Sequence, residues 1–136
     1  MTAMAASSSK TVSSWAFWLV VAMVVLVGPA NAEEVQHCGW YQNPTLGNHF
    51  LTDADGEWVI GLQGGETAEG FDDLPASAFD FKGRWVEVNG YYGYGCACLR
   101  GAFGPAGSET VMSVREMRPL PLSRCEEYPK LPGLGG

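Results

Sequence analysis

Cys38, Cys96, Cys98 and Cys125 constrain this chain more than any other feature. They form an even set downstream of an N-terminal export signal, and in an oxidising compartment such a set reads as two disulfides. The signal spans residues 1–32. Lys10 is its only charged side chain, Trp15–Gly28 is an apolar run, Pro29 breaks the run, and Ala30-Asn31-Ala32 fits the small-x-small rule for cleavage after Ala32. The apolar run is shorter than the roughly 20 residues of a spanning helix, so no stable membrane insertion is expected once the leader is cut. That leaves 104 residues, Glu33–Gly136. A chain of this size buries only about 60–70% of its unfolded surface, so crosslinks matter to it.

Three pairings of the cysteines exist. Cys96–Cys98 would close a minimal ring and constrain almost nothing. Cys96 and Cys98 lie two apart on an expected strand and so share a face. A strand at Thr110–Met117 running back along Gly95–Arg100 would end near Cys96, with Cys125 a few residues later. The expected bridges are therefore Cys96–Cys125 and Cys38–Cys98. A bridge closing a loop of about 60 residues contributes roughly 4 kcal/mol in the chain-entropy model.

The remaining pattern is β. Gly and Pro make up 24 of the 104 residues, and apolar runs are short. Short β-branched and aromatic runs sit between turn residues. The first extended segment is Val35–Tyr41, followed by a loop over Asn43–Asn48. Phe50–Thr52 and Trp58–Leu62 form a hairpin about Asp53-Ala54-Asp55-Gly56, where Gly supplies the positive φ of the turn. Leu74–Phe79 has room for one helical turn, with Pro75 at a first helical position. Trp85–Tyr92, Gly95–Arg100 and Thr110–Met117 complete the strands, and Pro119 and Pro121 end regular pairing. Asn89-Gly90 is an alternative hairpin turn. A continuous strand is preferred there, because a turn would leave flanking strands of unmatched length. The fold class is all-β: a small antiparallel barrel or sandwich of five to six short strands, with at most one short helical turn and two disulfides. A single domain is expected over 33–125, with a flexible C-terminal tail over 126–136.

Charge is uneven along the chain. Glu33–Asp80 holds ten acids and no Lys or Arg, whereas Phe81–Gly136 holds seven basic and five acidic residues. The net charge of −7 argues against nucleic acid, whose phosphates require Lys and Arg. The acidic first half would steer a cationic partner.

Few residues point to chemistry. Cys96-x-Cys98 has the form of a redox pair but lacks a neighbouring base or helix start to lower a thiol pKa. Four cysteines with His37 could ligate zinc, but the spacing fits no familiar ribbon or finger. Asp53-Ala54-Asp55-Gly56-Glu57 begins like a calcium loop, yet the twelfth position is Gly64 where a Glu is required. His49 with Asp53 makes a weak dyad, and there is no nucleophile elbow or phosphate loop. No catalytic residue, metal site or cofactor is assigned. In Tyr92–Leu99 one face carries Tyr92, Tyr94, Cys96 and Cys98, and the other carries Gly93, Gly95, Ala97 and Leu99. The candidate binding surface is an exposed aromatic and acidic platform of Trp40, Tyr41, Asp53, Asp55, Glu57, Trp58, Tyr92 and Tyr94.

Cys38-Gly39-Trp40-Tyr41-Gln42-Asn43-Pro44-Thr45, Leu51-Thr52-Asp53-Ala54-Asp55-Gly56-Glu57-Trp58 and Tyr92-Gly93-Tyr94-Gly95-Cys96-Ala97-Cys98-Leu99 occur together, with Cys125 beyond. This combination resembles a family of small exported bacterial proteins, domain of unknown function four-thousand-and-eighty-seven, over roughly Gln36–Cys125. Leu46 departs from the family pattern, which has a second Pro there, and His49 and Phe50 stand in place of bulkier aromatics. The resemblance implies a bacterial envelope location, periplasmic or secreted, and no catalytic residues.

The leading reading is an exported, disulfide-stapled, non-catalytic binding or envelope protein. Its partner would be a basic protein, a peptide or a carbohydrate of the envelope, met through the acidic N-terminal half. The alternative is a small periplasmic enzyme, either a carbohydrate hydrolase or a thiol oxidoreductase.

Overall fold

A computed structural model describes residues 33–105, 107–129 and 131. The leader expected at 1–32 lies outside the described residues, as do residues 132–136 of the expected tail. The elements in chain order are β1 (Glu34–Thr45), β2 (Asn48–Asp53), β3 (Gly56–Gly61), β4 (Val86–Asn89), β5 (Tyr92–Phe103), β6 (Val111–Leu120) and α1 (Leu122–Glu126). Two 3-10 turns, Phe71–Asp73 and Ala76–Phe79, lie between β3 and β4. The chain is thus mostly β, as its composition requires.

All six strands form one antiparallel sheet in the order β3-β2-β1-β5-β4, with β6 also paired to β5. β5 is the hub. It pairs with β1 from Gly93 to Ala102, with β4 at Tyr92–Tyr94, and with β6 from Cys96 to Phe103. The two outer edges are then drawn together. Val59 N–H donates to Glu109 O at 2.7 Å, and Ala68 N–H donates to Ile60 O at 2.7 Å. Val114 N–H donates to Glu69 O at 2.7 Å. Residues 67–69 therefore tie β3 to β6 and curl the sheet towards a barrel, which leaves few unpaired edge groups.

Alternation along the strands sorts side chains onto two faces. The inner face holds the main core, with Tyr41, Leu51, Trp58, Ile60, Leu99 and Met117 among its buried residues. Phe71, Ala78 and Phe81 from the segment between β3 and β4 plug it. The outer face carries a smaller cluster of Trp40, Cys96 and Cys125, with Tyr94, Leu120, Leu122 and Leu131 packed against it.

Several expectations change. The preferred continuous strand Trp85–Tyr92 is instead a hairpin: β4 ends at Asn89 and β5 begins at Tyr92. Gly90 takes φ +61°, and Trp85 Nε1 donates to Tyr91 O at 3.0 Å. The unmatched strand lengths carry no penalty, because the rest of β5 pairs with β6. The loop expected at Asn43–Asn48 shrinks to a tight turn, since Asn43 Nδ2 donates to both Thr45 O and Asn48 O at 2.8 Å. Pro119 does not end pairing: it lies opposite Ala97 within β6. Pro75 precedes its 3-10 turn rather than opening it.

Candidate functional site

The disulfides are Cys38–Cys98 and Cys96–Cys125, as the strand geometry predicted. The first links directly opposed positions of β1 and β5. The second ties β5 to α1. The two cysteines of Cys96-x-Cys98 thus bond to different partners, so the motif is not a dithiol pair. No cysteine among the described residues is free, and none is left to ligate zinc.

At the end of the β2–β3 hairpin the fold brings together three groups. Asp53 closes β2 and is buried. Its Oδ1 accepts Asp55 N–H at 2.8 Å and Trp58 Nε1–H at 3.2 Å. Its Oδ2 meets His37 Nδ1 from β1. Asp55 Oδ2 lies 4.0 Å from the same nitrogen. The His37 ring is wedged between Trp58 and Phe103, with centroids at 5.2 and 4.1 Å. His37, Asp53 and Asp55 offer ligand atoms within 4.8 Å of one another, close enough to converge on a cation. Equally, each Asp53 oxygen is satisfied by protein groups alone. The acid–imidazole pair is therefore His37–Asp53, not the His49–Asp53 dyad. His49 Nδ1 instead meets Tyr41 OH at 2.8 Å, inside the fold. Burial holds the His49 imidazole below its ordinary value, partly opposed by Asp72, and burial pushes the Tyr41 phenol up.

Gly39 explains why the hairpin end can close on β1. A Cβ there would lie 2.1 Å from Thr52 O, so only Gly permits β2 to approach this closely. The hairpin end then borders an open groove of about 480 Å³ lined by both disulfides. Arg118 and Arg124 line the same groove with His37, Asp53 and Asp55. Arg118 is paired directly with Cys98 across β5 and β6.

The expected aromatic platform does not form as one surface. Trp40, Tyr41 and Trp58 are 3%, 2% and 8% exposed, because each is a core residue of a sheet buried on both faces. Tyr94 packs edge-on against Trp40 at 5.4 Å. Tyr92 is half-buried at the start of β5, and Asp55 and Glu57 are exposed on the hairpin. Exposed apolar groups are scattered over other parts of the chain, among them Leu46 in the β1–β2 turn, Met112 on β6, Tyr91 (89% exposed) and Val88 at the β4–β5 hairpin, and Phe79 at the end of the second 3-10 turn. Tyr91 and Phe79 line a second groove with Trp85, Asp80, Lys82 and Glu87.

A family model described as protein of unknown function (DUF4087) matches residues 32–132. The chain belongs to that family. No curated protein and no solved structure matches it.

In this DUF4087 domain, two placements escaped the sequence reading. His37 meets Asp53 because β1 and β2 are neighbours, and that neighbourhood is set by the Gly47 turn rather than by any local motif. Tyr91 is exposed because it sits in a turn that the continuous-strand reading denied. The Asn89-Gly90 pair was the signal for it.

Proposed function

We propose that the protein is a non-catalytic binding module that takes a basic partner on the segment bridging β3 and β4. One observation carries this reading. Glu66, Glu69, Asp72, Asp73 and Asp80 are all exposed on that segment, and its two basic residues, Lys82 and Arg84, follow the last of these acids. The segment is not a loose loop. It is hydrogen-bonded to β3 and β6 through Ala68 and Glu69 and anchored by Phe71, Ala78 and Phe81 in the core. Its acids are therefore held in fixed relation, which spares a partner the ordering cost of a flexible surface. Phe79 on this segment and Tyr91 of the β4–β5 hairpin line one groove and add apolar contact area next to Asp80 and Glu87. Two disulfides support an oxidising compartment, in keeping with a periplasmic or secreted protein. Among the described residues no helix is long and apolar enough to cross a membrane.

The test is titration with basic probe proteins such as lysozyme and cytochrome c at about 20 and about 300 mM salt, between which the screening length falls from about 20 Å to about 6 Å. Binding should weaken about tenfold or more at high salt. It should weaken similarly in the Asp72→Asn, Asp73→Asn, Asp80→Asn triple variant. Affinity unchanged by both salt and charge removal would overturn the proposal.

A further inference from the structure

We propose that the groove on the outer face of the sheet is a thiol–disulfide exchange site. The reductant is a low-molecular-weight thiol carrying a carboxylate and an ammonium group, and its target is Cys38–Cys98. This site is separate from the acidic segment and does not depend on that segment's function.

Access distinguishes the two disulfides that line the groove. Cys38 is exposed, whereas Cys98, Cys96 and Cys125 are 6%, 1% and 3% exposed. Only the first disulfide offers a sulfur on an exposed residue to an incoming thiolate, and exchange rates depend on such access. The charges fit a zwitterionic thiol. Arg118 and Arg124 present guanidinium groups to a carboxylate, and exposed Asp55 presents a carboxylate to an ammonium. Arg118 holds the strand position directly opposite Cys98, which puts a cationic side chain on the face where the leaving thiolate forms. Other ties cross the same seam: β1 and β5 pair at nine positions besides Cys38/Cys98, and Cys96–Cys125 holds α1 independently.

The chemistry balances with thiol alone as reductant. The external thiol loses its proton to water. Its sulfur bonds to Cys38 Sγ, the Sγ–Sγ bond breaks, and the electron pair leaves on Cys98 Sγ. A second external thiolate attacks the external sulfur of this mixed disulfide and releases the Cys38 thiolate. Two external thiols are oxidised to one disulfide, and the protein bond is reduced to two thiols.

Four probe thiols test this on the unaltered protein: 2-mercaptoethanol, 3-mercaptopropionate, cysteamine and cysteine. Each rate is divided by that thiol's rate with a small model disulfide, which removes intrinsic reactivity. Quenching, alkylation and peptide mass mapping locate the adduct. The first adduct should be on Cys38 while Cys96–Cys125 is intact. The normalised rate should rise roughly threefold to fivefold for each added charged group, with cysteine fastest. Arg124→Gln should lose the carboxylate preference and Asp55→Asn the ammonium preference. Equal reduction of both disulfides, a first adduct on another cysteine, or four equal normalised rates would overturn the assignment.

Discussion

Asp53 is the residue whose replacement tests the candidate site most directly. Removing its carboxylate in Asp53→Ala strands three donors or partners at once: Asp55 N–H, Trp58 Nε1–H and the His37 ring. They do not suffer equally. Asp55 is exposed, so its N–H finds water and costs little. Trp58 is buried, so its Nε1–H is left without an acceptor, at about 1–2 kcal/mol. The half-buried His37 loses a hydrogen bond to a charged group, at about 1.5 kcal/mol. The expected cost is about 3 kcal/mol. With a urea m-value of about 1.5 kcal/mol/M, the unfolding midpoint should fall by about 2 M. Asp53→Asn is the control. Its amide oxygen can still accept from Trp58 and Asp55, while its NH₂ turns to His37, whose Nδ1 accepts in the other tautomer. That variant should lose only about 1 kcal/mol. Urea titration followed by Trp fluorescence reads both, since Trp58 reports the site itself. An Asp53→Ala cost below about 0.5 kcal/mol, or an Asn variant weaker than the Ala variant, would refute the reasoning.

Other outcomes follow from the same geometry. Gly39→Ala drives a Cβ against Thr52 O and should cost about 3 kcal/mol by urea titration, with β2 losing amide protection first. Cys96→Ala with Cys125→Ala should release residues 122–129, seen as rapid hydrogen exchange there, and should cost roughly 3–4 kcal/mol for a closed loop of 29 residues. His49 should titrate below its ordinary 6.5 in an NMR pH series, because burial disfavours the imidazolium. The unfolded chain then binds more protons as pH drops below 6.5. Stability from neutral His49 is therefore complete above that pH and is lost as pH falls towards the folded value, a dependence that His49→Gln should remove.

Much of the fold was legible because its signals are local. Asp55-Gly56 fixed one hairpin, and the alternation of Tyr92–Leu99 placed Cys96 and Cys98 on one face with Ala97 and Leu99 opposite, as observed. The cysteine pairing followed from that face and from the antiparallel return of β6. What failed was non-local. Whether Trp40, Tyr41 and Trp58 are exposed depends on whether both faces of the sheet are covered. That is decided by the plug of Phe71, Ala78 and Phe81 on one side and by α1 on the other. Neither covering element has a helical period long enough to be read. The His37–Asp53 pair required strand order, which no local motif encodes.

The two disulfides do different physical work. The inner face is covered by a segment with its own core anchors and backbone ties to β3 and β6. The outer face is covered by a five-residue helix without a side-chain cap, far below the roughly 12 residues at which an isolated helix becomes even marginal. Such a helix stays in place only if something holds it, and Cys125–Cys96 is the buried link that does so. Cys38–Cys98, by contrast, crosses a strand pair that is already joined along ten positions. Its loss removes chain-entropy stabilisation but no element of the fold. Cys38–Cys98 thus has nine other pairings along its own seam and one exposed residue, whereas Cys96–Cys125 is buried beside Trp40 and is the covalent link to α1. That difference in local redundancy, rather than any difference between the cysteines themselves, makes one disulfide a structural tie and the other available for exchange.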